Sequence, residues 1–168
     1  MRSAVALIMS LIVTPLFAGP IVYEGTSGFG HGKHIVFIAS DHEYRSEETL
    51  PALARILAKH HGFKCTVLFS LNDKGEIDPN NQKSLTHPQA LDTADAIIML
   101  LRFRTWDDAT YKHFDNACNR GVPIIGSQTN PSQMVGPALR GGIDRMQFYY
   151  QPLDSLLGTL FTATNFIW

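Results

Sequence analysis

The sequence predicts an α/β fold in which a parallel sheet lies between layers of helix, and three observations carry that reading. Two apolar runs, Ile35-Val36-Phe37-Ile38 and Ala96-Ile97-Ile98-Met99-Leu100-Leu101, are continuous and do not alternate with polar residues, as strands covered on both faces require. Leu50, Leu53, Ala54, Leu57 and Ala58 form one stripe at helical spacing between them. Strand-like and helix-like segments then alternate across residues 33–126, the order that right-handed βαβ units produce.

The bulk properties fit one domain. The chain has 168 residues, 45% of them hydrophobic and 17% charged, enough to enclose a sizeable core. Its net charge is −1 and its basic residues are scattered, so it lacks the electrostatic footprint of a nucleic-acid or anionic-membrane binder.

Residues 1–18 read as a signal peptide. Arg2 supplies the positive start, residues 4–13 the apolar core, and Pro15 precedes a cleavage position after Ala18. The apolar run is about half of the ~20 residues a spanning helix needs, so we expect export, to the periplasm or the medium, with no membrane span left after cleavage. An uncleaved N-terminal anchor is the alternative. Residues 19–32 are a glycine-rich leader. Their Gly28-Phe29-Gly30-His31-Gly32 precedes the first strand instead of following it, so it is no dinucleotide fingerprint, and no cofactor is expected.

The first strand, at residues 35–38, runs into Ser40-Asp41-His42-Glu43-Tyr44-Arg45, a wholly polar loop. Pro51 is awkward inside a helix begun at Ser46, so the spacing predicts a short turn over residues 46–48 and the main helix from Thr49. Lys59, His60 and His61 load its last turn with donors, as helix-end cations, and Gly62 caps it. A second strand covers residues 63–71. The acids and amides of residues 72–81 follow turn chemistry and depart from calcium-loop spacing. A short helix over residues 88–93 leads into the third strand, residues 96–101. Thr105 and Asp108 resemble a capping box for a helix from Trp106 to about Asn119, in which Trp106 and Tyr111 read as packing. The fourth strand occupies residues 122–126. Cys65 and Cys118 read as small buried hydrophobes and not as a disulfide, and no metal cluster is indicated.

In the strand order 2-1-3-4 of a flavodoxin-like sheet, strands one and three are neighbours, and ligands gather beyond their carboxyl ends. That brings Asp41, His42, Glu43, Tyr44 and Arg45 beside Arg102, Phe103 and Arg104, with Gln128 and Thr129 alongside after strand four. Such a crevice suits a small polyhydroxylated or anionic ligand. Arginines and carboxylates would take its hydroxyl or carboxyl groups, and Tyr44 and Phe103 would stack. His42 is the proton-transfer candidate, with Asp41 or Glu43 orienting it. The competing structural reading has Asp41 capping a turn, Arg45 pairing with Glu47 or Glu48, and Arg102 and Arg104 solvated.

At these residues the chain resembles a known family. GKHIVFIASDHEYRSEETLPALARILAKHHGFKCTVLFSLNDKGEIDPN, then ALDTADAIIMLLRFRTWDD, then GVPIIGSQT, resemble in their order the trehalose-utilisation (ThuA-like) family over roughly residues 22–130. The resemblance implies a three-layer flavodoxin-like sheet similar to class I glutamine amidotransferases, over residues 33–130, and a carbohydrate-related role on a small sugar derivative. The turn after strand four, Gly126-Ser127-Gln128-Thr129, has no cysteine, so glutaminase chemistry is not expected. Thr129 matches the family, Gln128 stands where Arg is usual, and no His follows. Whether the crevice catalyses a reaction, only binds, or belongs to an inactive fragment stays open at this level, as does the oligomeric state. From about Pro131 the resemblance stops. Residues 131–168 read as a divergent tail with one helix at residues 152–163, where Leu153, Leu156, Leu157, Leu160 and Phe161 align, and we expect a domain incomplete at its C-terminus through truncation or a frame shift.

Overall fold

The structure, a computed structural model, describes residues 18–126. The expectations for the signal peptide, for Gln128 and Thr129, and for the tail and its helix lie outside the described residues.

Five strands form one sheet: β1 Ile21–Tyr23, β2 His34–Ser40, β3 Lys64–Phe69, β4 Ala96–Leu101 and β5 Ile124–Gly126, in the order β1-β3-β2-β4-β5. β2, β3, β4 and β5 run parallel, in the strand order expected from the sequence, and β1 pairs antiparallel with β3. Two α-helices, α1 Ser46–His61 and α2 Asp108–Asn119, and a 3-10 turn at Pro88–Thr93 complete the described fold. It is a mixed α/β fold with a mostly parallel sheet.

β2 lies at the centre, and all seven of its residues are buried. Because side chains alternate across a strand, β2 feeds two cores. Ile35, Phe37 and Ala39 pack with Leu50, Ala54 and Leu57 of α1, whereas Val36 and Ile38 pack with Leu91, Tyr111 and Phe114 on the α2 side. Each fully buried Leu, Ile or Phe contributes roughly 1.5–3 kcal/mol of transfer free energy, so the continuous apolar runs are what hold the layers together. Cys65 belongs to the α1-side core and Cys118 packs against the other, so the sheet separates them and both thiols are free. Burial pushes the Cys65 thiol up to about 12 and the Cys118 thiol up to about 11.

Four elements differ from expectation. The stretch read as a leader contributes β1, because Ile21-Val22-Tyr23 has strand propensity and the edge of β3 is open to it. After β1 the chain crosses the end of α1, where Gly30 N–H donates to His61 O at 2.8 Å. A Cβ at Gly28, which has φ 128°, would lie 2.5 Å from His61 O, so only glycine fits there. α1 is continuous from Ser46 and carries Pro51 inside it. Its start is fixed from outside: Ser46 Oγ accepts from Asp41 N–H at 2.8 Å and donates to Asp41 O at 3.2 Å. With that anchor in place, Pro51 removes only the donor that would have met the Glu47 carbonyl. α2 begins at Asp108, and its cap is Asp107, whose Oδ1 accepts from Thr110 N–H at 2.8 Å. Thr105 instead ties its backbone N–H to Gln82 O at 2.9 Å. The fourth strand begins at Ile124, past Pro123, which cannot donate to the ladder. Among the described residues no helix is long and apolar enough to cross a membrane.

Candidate functional site

The register sets which loops meet. Ser40 pairs with Leu101 across β2 and β4, so the loops that follow both strands leave the sheet side by side. The Asp41 side chain is fully buried, and its Oδ1 accepts from Glu43 N–H at 2.8 Å and Tyr44 N–H at 3.1 Å. That is a turn cap, as the structural reading expected. The other oxygen is not used: Asp41 Oδ2 is buried and has no hydrogen-bond partner. Leaving a buried acceptor unfilled costs about 1–3 kcal/mol, more when it is charged.

Glu43 bridges the loops through an ion pair with Arg102. Hydrogen bonding to Glu43 raises the Arg102 guanidinium further above its ordinary value, and the charges of Glu43 and Asp41 add to this. Arg102 lies 5.4 Å from the centroid of the Phe103 ring. Phe103 itself is 41% exposed and sits at φ 50°, a left-handed backbone that a bulky residue seldom adopts. On the facing loop, Arg45 is likewise left-handed at φ 50° and forms an ion pair with Glu48. Strain of this kind costs of order 1–3 kcal/mol and gathers at ligand-binding loops. Tyr44 is 47% exposed. His42 is exposed, and among the described residues no hydrogen bond holds its ring.

Arg104 departs from the sequence expectation that placed it in the ligand's reach or in solvent. It is among the largest fully buried side chains of the protein, and its donors face the protein. Nε donates to Arg102 O at 2.6 Å, Nη1 to Asn81 O at 2.9 Å and Ser70 Oγ at 3.2 Å, and Nη2 to Pro79 O at 2.9 Å. Burial pulls its guanidinium down to about 10, opposed by the charges of Asp41 and Asp78, so it remains a cation at neutral pH. Arg104 is a clasp that fixes the 79–81 loop against the crevice.

Below it lies a buried hydroxyl chain: Ser40 Oγ meets Ser70 Oγ at 2.7 Å, and Ser70 Oγ donates to Ser84 O at 2.8 Å. The only sequence signal for this pair is that Ser40 and Ser70 each end an apolar run, and parallel pairing sets such positions next to one another. Compared with protein-family models, curated proteins and solved structures, the chain matches none.

A second polar cluster, at the amino ends of the strands, also escaped the sequence reading. His34 Nε2 meets Thr66 Oγ1 at 2.8 Å, and Nδ1 meets Thr93 Oγ1 at 3.0 Å. Burial, with the Lys64 charge, lowers the imidazole below its ordinary range, while the Thr93 bond and the Asp95 and Glu24 charges oppose this. A cavity of about 260 Å³ opens beside it, with Val22, Lys64, Thr66, His87 and Gln89 in its walls. The signal was present in principle: His34 and Asp95 each precede an apolar run, and alignment of those runs makes them neighbours. Trp106 and Tyr111 pack in the α2-side core as expected, with Tyr111 Oη donating to Arg104 O at 3.0 Å.

The two loops therefore join Asp41, Glu43 and Arg102, leave the Tyr44 and Phe103 rings exposed, and bury Arg104. An imidazole with neither a carboxylate partner nor a fixed orientation lacks the support a general base draws on.

Proposed function

We propose that this is an exported, flavodoxin-like α/β protein of the ThuA-like type that binds a small sugar derivative in the crevice between the 41–45 and 102–104 loops. The observation that carries the reading is the unfilled, buried Asp41 Oδ2 beside the Glu43–Arg102 bridge, at the carboxyl ends of neighbouring parallel strands. Ligands of open α/β sheets sit at that end. The exposed Tyr44 and Phe103 rings offer apolar faces against which the C–H side of a sugar ring packs. The resemblance of residues 22–130 to the trehalose-utilisation family supports a carbohydrate as the ligand, and the pattern of residues 1–18 supports export. Binding without turnover is favoured by the unheld His42 and by the absence of a cysteine in residues 126–129.

Isothermal titration of the full chain with trehalose, keto-sugars and sugar acids tests this. We expect saturable heat with at least one of these ligands, abolished in a Tyr44→Ala/Phe103→Ala variant, and no new product in the same samples by NMR. No heat with any of them, the His42→Ala variant being equally silent and equally stable, would remove the crevice as a sugar site.

A further inference from the structure

We propose that the crevice selects a neutral, hydroxyl-rich ligand over a sugar acid, with Asp41 Oδ2 accepting a hydrogen bond from a ligand hydroxyl. This rests on the reading of the crevice as a sugar site and narrows it. The arginines that a carboxylate ligand would seek are already matched. Arg102 is paired with Glu43 and Arg45 with Glu48, while Arg104 is enclosed by the carbonyls of Pro79, Asn81 and Arg102 and by Ser70 Oγ. Of the crevice's side chains, Arg102 Nη1 has its ion pair with Glu43 and no further hydrogen bond, and the group with no partner of any kind is an acceptor, Asp41 Oδ2. Asp41 is fully buried, its Oδ1 is committed to Glu43 N–H and Tyr44 N–H, and its Oδ2 is empty.

An ionised carboxylate can only accept, so whatever completes Oδ2 must bring a donor. A ligand hydroxyl does so. A ligand carboxylate at the same place would meet a like charge at a buried position, where repulsion is screened far less than in water. Capture of an acid by Arg102 would compete with the Glu43 carboxylate for the same guanidinium. The exposed Tyr44 and Phe103 rings match the alternating C–H and O–H surface of a sugar or sugar alcohol.

Titration calorimetry of the full chain with glucose and glucitol against gluconate and glucuronate, at one pH and ionic strength, is the test. The neutral pair should bind more tightly than the acids by about tenfold or more, the worth of one hydrogen bond to a charged group. Asp41→Asn, which keeps the shape of the side chain and removes its charge, should weaken the neutral ligands by a similar factor. Glu43→Gln, which releases Arg102, should strengthen gluconate. Thermal unfolding of each variant checks that it is folded, and the wild-type preference stands as a readout independent of any variant. Acids binding as tightly as the neutral ligands would overturn this proposal and leave the sugar-site reading intact. Silence from all four compounds would overturn this proposal, and silence from trehalose and keto-sugars as well would overturn the sugar-site reading with it.

Discussion

At the amino ends of β2 and β4, His34 stands beside Asp95; at the carboxyl ends of the same two strands, Asp41 stands beside Arg102. The first pair is closed on itself. Asp95 Oδ2 accepts from the His34 backbone N–H at 2.8 Å, Asp95 Oδ1 lies 3.4 Å from Lys33 Nζ, and both His34 ring nitrogens meet threonine hydroxyls. The second pair is open. Asp41 keeps one oxygen unfilled. Similar side chains at the two ends of one sheet thus do different work. Where every polar atom finds a protein partner the cluster is a latch, and where one is left over the fold has reserved it for something else. The amino end holds a measurable cavity, yet its floor of His34, Thr66 and Thr93 has no unused donor or acceptor to offer comparable to Asp41 Oδ2.

The largest test of this contrast is Arg104→Ala. It strands the carbonyls of Pro79, Asn81 and Arg102 and takes one of two nearby cations, Arg104 and Arg102, from buried Asp41. We expect a loss on the order of 3–5 kcal/mol in urea-induced unfolding, the range for breaking a buried charged cluster on one side. A loss below about 1 kcal/mol would show that Arg104 is solvated in solution and available to a ligand.

Next comes the pH response of the latch. The folded imidazole of His34 lies below its ordinary 6.5, so between these values the unfolded chain binds the proton and the folded one does not. Stability should be fully present above about pH 6.5, fall as the pH drops from there, and level off below the folded value. His34→Gln keeps hydrogen-bonding capacity without titrating. Its urea midpoint should lose that step between pH 7 and 5, whereas an unchanged profile would assign the step to another group.

The smallest expected effect is at Lys33, whose ion pair with Asp95 has side chains 48% and 39% exposed. Lys33→Ala should change stability by less than about 0.5 kcal/mol and should vanish against background at high salt. A larger change would mean that the amino-end latch depends on its outer charge as well as on His34.

What was legible in the sequence followed burial. Ile35, Val36, Phe37 and Ile38 advertise a strand covered on both faces, as does the run at Ala96, and with the strand order of a flavodoxin-like sheet the meeting of the Asp41 and Arg102 loops could be read from the sequence. β1 could not, because three half-exposed residues at a sheet edge carry almost no pattern. Nor could the division of labour between Arg102 and Arg104. The two are chemically identical and two positions apart, and only the positive φ of Phe103 between them, together with the carbonyls of Pro79 and Asn81, turns one toward the crevice and the other into the interior. The cap of α2 shifted from Thr105 to Asp107 for a similar reason: Thr105 is drawn to Gln82 by a contact 23 residues away in sequence, as the Thr105 N–H to Gln82 O bond records.

The clasp made by Arg104 has a consequence for how the crevice can change. One wall of it is positioned by the loop that follows β3, although the residues that face a ligand follow β2 and β4. Insertions or deletions around Pro79 and Asn81 would therefore be transmitted to recognition without altering a single recognising side chain. The pocket's shape is inherited from a neighbour, and any redesign of its specificity has to begin in that neighbouring loop.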